Sequence, residues 1–230
     1  MVNFDVKSIF PLFKELIPFI PVSLFILIIS FTLGNLLGVI LAYGLEAKQR
    51  WYQQITKTYI FIMRCTPPIV MIFLVFYGLP QLLKWWLKIN IHDFSQAVFV
   101  IIALTLLYGA NISVVFKASY DAVNKGQREA GLVLGLSEAR TFFRIILPQA
   151  LRIALPNIGN STVSLLKNTA LAYTIGLIDV MGAGQLFINR NMGNFSLETD
   201  LAVAIIYWII AGLIMVSIHL LEKEISKGEV

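Results

Sequence analysis

The run LIPFIPVSLFILIISFTLGNLLGVILAYGL, from Leu16 to Leu45, holds no charged side chain. A bilayer core about 30 Å thick is crossed by about 20 apolar residues at about 1.5 Å of helical rise each, so this run is long enough to span. Lipid offers the backbone no hydrogen bonds, so only helices or closed barrels cross it. The apolar residues here are continuous rather than alternating, which selects the helix.

Working outward, Cys65 to Leu83, Phe94 to Phe116 and Leu201 to Leu221 are also free of Lys, Arg, Asp and Glu, and Ile153 to Ile178 is interrupted only by Lys167. The expected architecture is an all-α membrane protein with five transmembrane helices, at about 18–45, 58–83, 94–117, 153–178 and 200–221, in one domain covering residues 1–230. Composition agrees. The chain is 58% hydrophobic and 13% charged, against roughly 45–50% and 25% in soluble domains.

The N-terminal residues do not form a secretory signal, which needs a basic start, an apolar stretch and a small-residue cleavage site. Asp5, Lys7, Lys14 and Glu15 instead alternate with Phe4, Ile9, Phe10, Leu12 and Phe13, an interfacial amphipathic helix leading into the first span. The single Cys65 rules out an internal disulfide or a cysteine cluster. His92 and His219 are far apart in sequence, so no metal site is expected.

Basic residues flanking spans collect on the cytoplasmic side. With the N-terminus outside, the inner face takes Lys48, Arg50, Lys57, Lys117, Lys125, Arg128, Arg140, Arg144, Arg152, Lys223 and Lys227, and the outer face only Lys7, Lys14, Lys84, Lys88 and Arg190. That asymmetry orients the chain N-outside and C-inside. It also accounts for the pI near 9.3 as a topology signal, without nucleic acid.

The inner connection at about 118–152 is long and polar, with Gly126, Gly131, Gly135 and Pro148. From Gln127, Ala130, Val133 and Leu134 recur at helical spacing; Gly135 and Ser137 stop and restart the chain, and Glu138 favours a second helix start. Phe142, Phe143, Ile145, Ile146 and Leu147 give that second helix an apolar side until Pro148 bends it. Two short helices at the inner membrane surface form a docking element.

Glu129-Ala130-Gly131, Gly135, Ile145, Leu147 and Pro148 reproduce E-A-A, three residues, G, nine residues, I, one residue, L-P. The segment resembles the EAA loop of ABC importer permeases, with Gly131 the one departure. The resemblance implies a coupling helix, with Glu129, Ala130, Gly131, Leu134 and Gly135 entering a groove of a cytoplasmic ATPase subunit. Arg64-Cys65-Thr66-Pro67-Pro68 and Phe76-Tyr77-Gly78-Leu79-Pro80 are similar to the R-G-T-P and F-x-Y-x-G-L-P region of polar amino acid permeases, with Cys65 for glycine. Lys167-Asn168-Thr169-Ala170-Leu171 is similar to their K-D-T-S-L. The chain thus resembles the histidine/glutamine/arginine type of permease subunit and a type I ABC importer fold.

The residues carry a reading of their own. Asn157, Asn160, Ser161, Ser164, Lys167 and Asn168 share one face of a helix, and a polar face cannot look at lipid. Lys167 sits about 16 Å along that helix, where a charge costs at least ~2.5–3.5 kcal/mol without water or a partner. Arg64 lies about 10 Å deep, beside two prolines that free helical carbonyls; such breaks are tolerated beside a watery cavity. A guanidinium with loose backbone and a hydroxyl suits a carboxylate. Arg64, Thr66, Asn157, Asn160, Ser161, Ser164 and Lys167 are the candidate substrate-binding residues; the bland reading is that Arg64 snorkels and the stripe packs helices.

Gly34 and Gly38 are assigned to helix packing. Trp51, Tyr52, Trp85, Trp86 and Trp208 are assigned to interfacial belts. Asp179 to Asp200, with Gly182, Gly184, Arg190 and Asn191, reads as a solvated outer turn, with contact to a soluble binding protein the alternative.

No G-x-x-x-x-G-K-[S/T] phosphate loop is present, so the chain is not itself the ATPase. No acidic residue lies inside the expected spans, Asp200 standing only at the outer edge of the fifth, to form an ion relay. The expected function is the permease subunit of an ATP-driven amino acid importer in the cytoplasmic (inner) membrane, without a cofactor or metal of its own. The expected partners are an ABC ATPase pair binding ATP and magnesium, a second permease (homodimer or paralogue) and an extracytoplasmic amino acid-binding protein. A secondary transporter subunit and a non-transporting assembly protein are the alternatives; neither explains the EAA-like loop.

Overall fold

The computed structural model describes residues 9–91 and 93–226; Phe4, Asp5, Lys7, His92 and Lys227 lie outside them. Four described helices are long and apolar enough to cross a membrane, Ile9–Leu45, Pro68–Leu87, Gln96–Asp121 and Ser196–Ile225, and the bent pair Glu138–Ile175 with Val180–Arg190, at 44°, makes a fifth. With the bent pair taken as one span, they overlap the five regions expected, the second beginning at Pro68 instead of near residue 58 because the prolines break the helix there. The fourth qualifies only as a pair because its polar stripe lowers its apolar content.

The short amphipathic helix α1 (Ile9–Leu16) runs through a 3₁₀ turn, Ile17–Phe19, into α2 (Ile20–Leu45). Its apolar residues Ile9, Leu12 and Leu16 are buried against two later helices, α10 (Val180–Arg190) and α11 (Ser196–Ser226). Protein, more than an interface with lipid, covers that face.

The most extensive contact joins α2 to the third span. A Cβ on Gly34 would lie 2.5 Å from Tyr108 Cδ1, and one on Gly38 2.3 Å from Ile112 Cγ2. These glycines let the two backbones approach, in the packing role read from their four-residue spacing.

The second span is broken where the prolines require it. α3 (Arg50–Cys65) stops at Thr66 (ψ 122°) and Pro67 (ψ 138°), both extended. The chain resumes as α4 (Pro68–Phe73), widens into a π-helical turn over Leu74–Gly78 and ends as α5 (Leu79–Leu87). α6 (Gln96–Asp121) anchors both halves: the Tyr59 hydroxyl donates to the Leu106 carbonyl at 3.1 Å, and Phe76 meets Phe99 edge-on at 5.4 Å between ring centres. At the inner end, Lys117 Nζ bridges Glu46, at 2.6 Å, and Asp121, joining the ends of α2 and α6.

The inner connection folds as α7 (Lys125–Val133) and α8 (Glu138–Thr141). Asn124 caps the first and Ser137 the second through side-chain oxygens. Gly135 turns between them with φ 79°, while Leu136 N–H reaches Gly131 O and Gly135 N–H reaches Leu132 O, closing the helix as a Schellman motif. Pro148 does not end this second helix. A π-helical turn over Phe142–Ile146 leads into α9 (Leu147–Thr169), and Pro148 sits just past that turn, where the backbone has left the regular α-helical bonding that a proline interrupts.

Two further expectations are corrected. Trp208 lies in the middle of α11 and is exposed, not at a span end, because α11 begins earlier than the apolar run suggested. Asp179, read as part of a solvated turn, is wholly buried, with a relative exposure of 0%. Its Oδ2 accepts from the hydroxyls of Ser23 (3.0 Å) and Tyr207 (3.2 Å), and its Oδ1 accepts from Gly182 N–H (2.9 Å). The carboxylate caps α10 and ties α2, α10 and α11 at one corner.

Candidate functional site

The spacing of α9 sets one face of Asn and Ser side chains, and Pro67 opens the backbone beside Arg64; tertiary packing decides whether the two features meet. α9 packs along α6, and α3 and α4 pack on α6 from another side. A cavity of about 640 Å³ lies among them, lined by Arg64, Thr66 and Pro68 from the break, by Asn157, Asn160, Ser161, Ser164 and Asn168 from α9, and by Tyr108 and Asn111 from α6. Six of the seven candidate residues therefore surround one space. Lys167, the seventh, is exposed at the margin of the α9 face and does not line the cavity.

The polar lining is also the exposed part of these helices. Arg64, Asn111, Asn157, Asn160 and Ser164 are exposed in the isolated chain, and among the described residues no hydrogen bond or ion pair engages the Arg64 guanidinium. Thr66 Oγ1 donates to Ile62 O at 2.8 Å, and Ser164 Oγ to Asn160 O at 3.0 Å. These bonds satisfy the hydroxyl protons while leaving oxygen lone pairs able to accept. Tyr108 is 4% exposed; its hydroxyl lies close to Asn35 and Thr162 but in hydrogen-bond geometry with neither.

One cation, several amides and free hydroxyl lone pairs, with no carboxylate among the described lining residues, suit a small solute bearing a carboxylate. Tyr108 and Asn111 are three residues apart on one face of α6, in line with Thr105, a sparse polar signal that the surrounding apolar run outweighs. Asn168 had the right spacing and was placed on the polar face without being counted as a ligand. His219 lies near Glu222, at 3.8 Å, and no group of described residues has the composition of a metal site.

The coupling residues divide. Glu129, Ala130, Leu134 and Gly135 are exposed, while Gly131 is buried. A Cβ at Gly131 would lie 2.7 Å from Thr141 Cγ2 and 2.9 Å from its Oγ1, so glycine at this position lets α7 pack against the start of the second helix. Arg128 clasps Glu138 across the turn at 2.5 and 3.1 Å. Val133 (87% exposed) and Leu134 (80%) stand out from the end of α7, an apolar tip on a polar loop.

Residues 34–227 match the model of a family described as the binding-protein-dependent transport system inner membrane component. A probable amino-acid permease protein of Bacillus subtilis, YxeN, is 35% identical over 99% of this chain and 98% of its own length. The L-cystine transport system permease protein TcyL of the same organism is 36% identical over 98% of this chain and 93% of its own. A crystal structure of an amino acid ABC transporter with histidines shares the fold, with a TM-score of 0.82 over 96% of this chain and 99% of that one at 24% identity.

Proposed function

The chain belongs to the family of binding-protein-dependent transport system inner membrane components, and on that premise we propose that it is the membrane-spanning subunit of an ATP-driven importer of polar amino acids. Relatives named as amino-acid and L-cystine permeases support the substrate class. The observation that carries the reading is the exposed polar face around the cavity. Arg64, Asn111, Asn157 and Asn160 lie on helices that cross or border the membrane and have no covering element among the described residues. Such groups are too costly to leave in lipid, so a second permease subunit, identical or paralogous, covers this face across a pseudo-two-fold axis with a watery path between the two.

ATP and magnesium belong to a pair of cytoplasmic ATPase subunits. The tip of α7 docks in them: Val133 and Leu134 supply apolar contact, Glu129 a polar anchor, and Ala130 and Gly135 keep the helix slim. Because α8 continues through the π-turn into α9, closure of the ATPases would tilt the very helix that lines the cavity and alternate its opening. In this scheme the N-terminus is outside and the C-terminus cytoplasmic, and an extracytoplasmic binding protein delivers the amino acid to the outer face.

Reconstitution of the permease, ATPase and binding protein in liposomes tests the proposal. Uptake of amino acid should require ATP on the ATPase side and persist with proton and sodium gradients collapsed. Uptake driven by an ion gradient without ATP would overturn it.

A further inference from the structure

We infer that the cavity takes amino acids whose side chains are polar but uncharged and turns away those with cationic side chains. The inference rests on the reading of this cavity as the substrate path. A zwitterion brings two charges of its own. Arg64, with five guanidinium donors, can pair the α-carboxylate in a two-pronged hydrogen bond. The α-ammonium, with three donors and no acceptor, needs only oxygen lone pairs, and Asn111, Asn157, Asn160 and Asn168 offer amide oxygens around the same space.

The side chain must use what is left. Amides and hydroxyls both donate and accept, so a carboxamide or hydroxyl on the substrate finds a partner in either sense. A guanidinium or ammonium side chain would instead add positive charge beside Arg64, with no carboxylate in the described lining to accept it. The carboxylates toward the inner end of α6 are already engaged: Asp121, one turn beyond the lining residue Ala118, and Glu46 both pair with Lys117. Like charges brought together in a partly desolvated site disfavour binding, here by at least about tenfold in affinity.

The test uses the purified permease–ATPase complex in nanodiscs, without the binding protein, so that the selectivity of that protein does not enter. Binding of radiolabelled L-glutamine and L-arginine is measured on the unaltered complex and on Asn160→Asp and Asn111→Asp, two exposed positions where an added carboxylate should leave the fold intact. L-glutamine should bind at least about tenfold more tightly than L-arginine, and at least one of the two variants should narrow or reverse that ratio. L-arginine bound as tightly as L-glutamine by the unaltered complex would overturn the inference while leaving the cavity as an amino acid site. Binding of neither amino acid, together with indifference of uptake to Arg64→Ala, would remove the site itself, and with it the inference.

Discussion

Two regions of this protein place polar groups among membrane-spanning helices, and they do so in opposite ways. At the α9–α10 corner, Asp179 is fully enclosed and both carboxylate oxygens are occupied, by Ser23, Tyr207 and Gly182. In the cavity, Arg64, Asn111, Asn157 and Asn160 stand exposed. Buried polar groups that are fully paired rigidify a fold; polar groups left open at membrane depth are costly unless water, substrate or another subunit meets them. The corner holds three helices together; in the proposed function the cavity is kept for a substrate that comes and goes.

The largest effect on stability is expected at the corner. Asp179→Ala leaves two hydroxyls and a helix N-terminal N–H without their acceptor, a loss of roughly 2–4 kcal/mol when the bonds and the cap are counted together. It should appear as a clearly lowered melting temperature of the detergent-purified protein. An unchanged melting temperature would mean that the corner does not hold α2, α10 and α11 together.

A smaller effect is expected at the coupling loop, where Thr141 is buried with its hydroxyl unpartnered. Gly131→Ala drives a methyl against Thr141 and should weaken the seating of α7 by roughly 1–3 kcal/mol, as overpacking does, reducing copurification of the ATPase. Adding Thr141→Ala removes the two nearest clashing atoms and breaks no hydrogen bond of Thr141, leaving only the flexible end of Ile145 at 3.1 Å to shift, so the pair should recover the ATPase. If the double variant remains defective, α7 is not positioned by this contact.

Much of this was legible before any coordinates. Four spans follow from charge-free runs and a fifth from a run broken only by Lys167, the broken second helix from Pro67 and Pro68, and the polar face of α9 from offsets that any helix would bring together. Gly135 ends α7 as its place in the pattern implies. Asp179 was misread because a turn residue at a span end is normally solvated, and its partners Ser23 and Tyr207 are 156 and 28 residues away in sequence. Nothing local marks such a union. Gly131 appeared as a departure from a motif; the structure shows its neighbour Thr141 to be the reason a methyl does not fit. The place of Lys167 at the margin of the polar face turns on where α3, α4 and α6 pack.

Arg64→Ala tests the contrast most directly, because both sides of it can be read from one variant. The guanidinium is exposed and pairs with no described residue, so its removal should leave the melting temperature of the complex and the copurification of the ATPase unchanged, with stability within about 0.5 kcal/mol of the unaltered chain. Amino acid uptake in liposomes and substrate-stimulated ATP hydrolysis should fall by at least about tenfold, as loss of a charge-assisted hydrogen bond worth about 1.5–3 kcal/mol requires. Uptake and stimulated hydrolysis that survive intact would contradict the account.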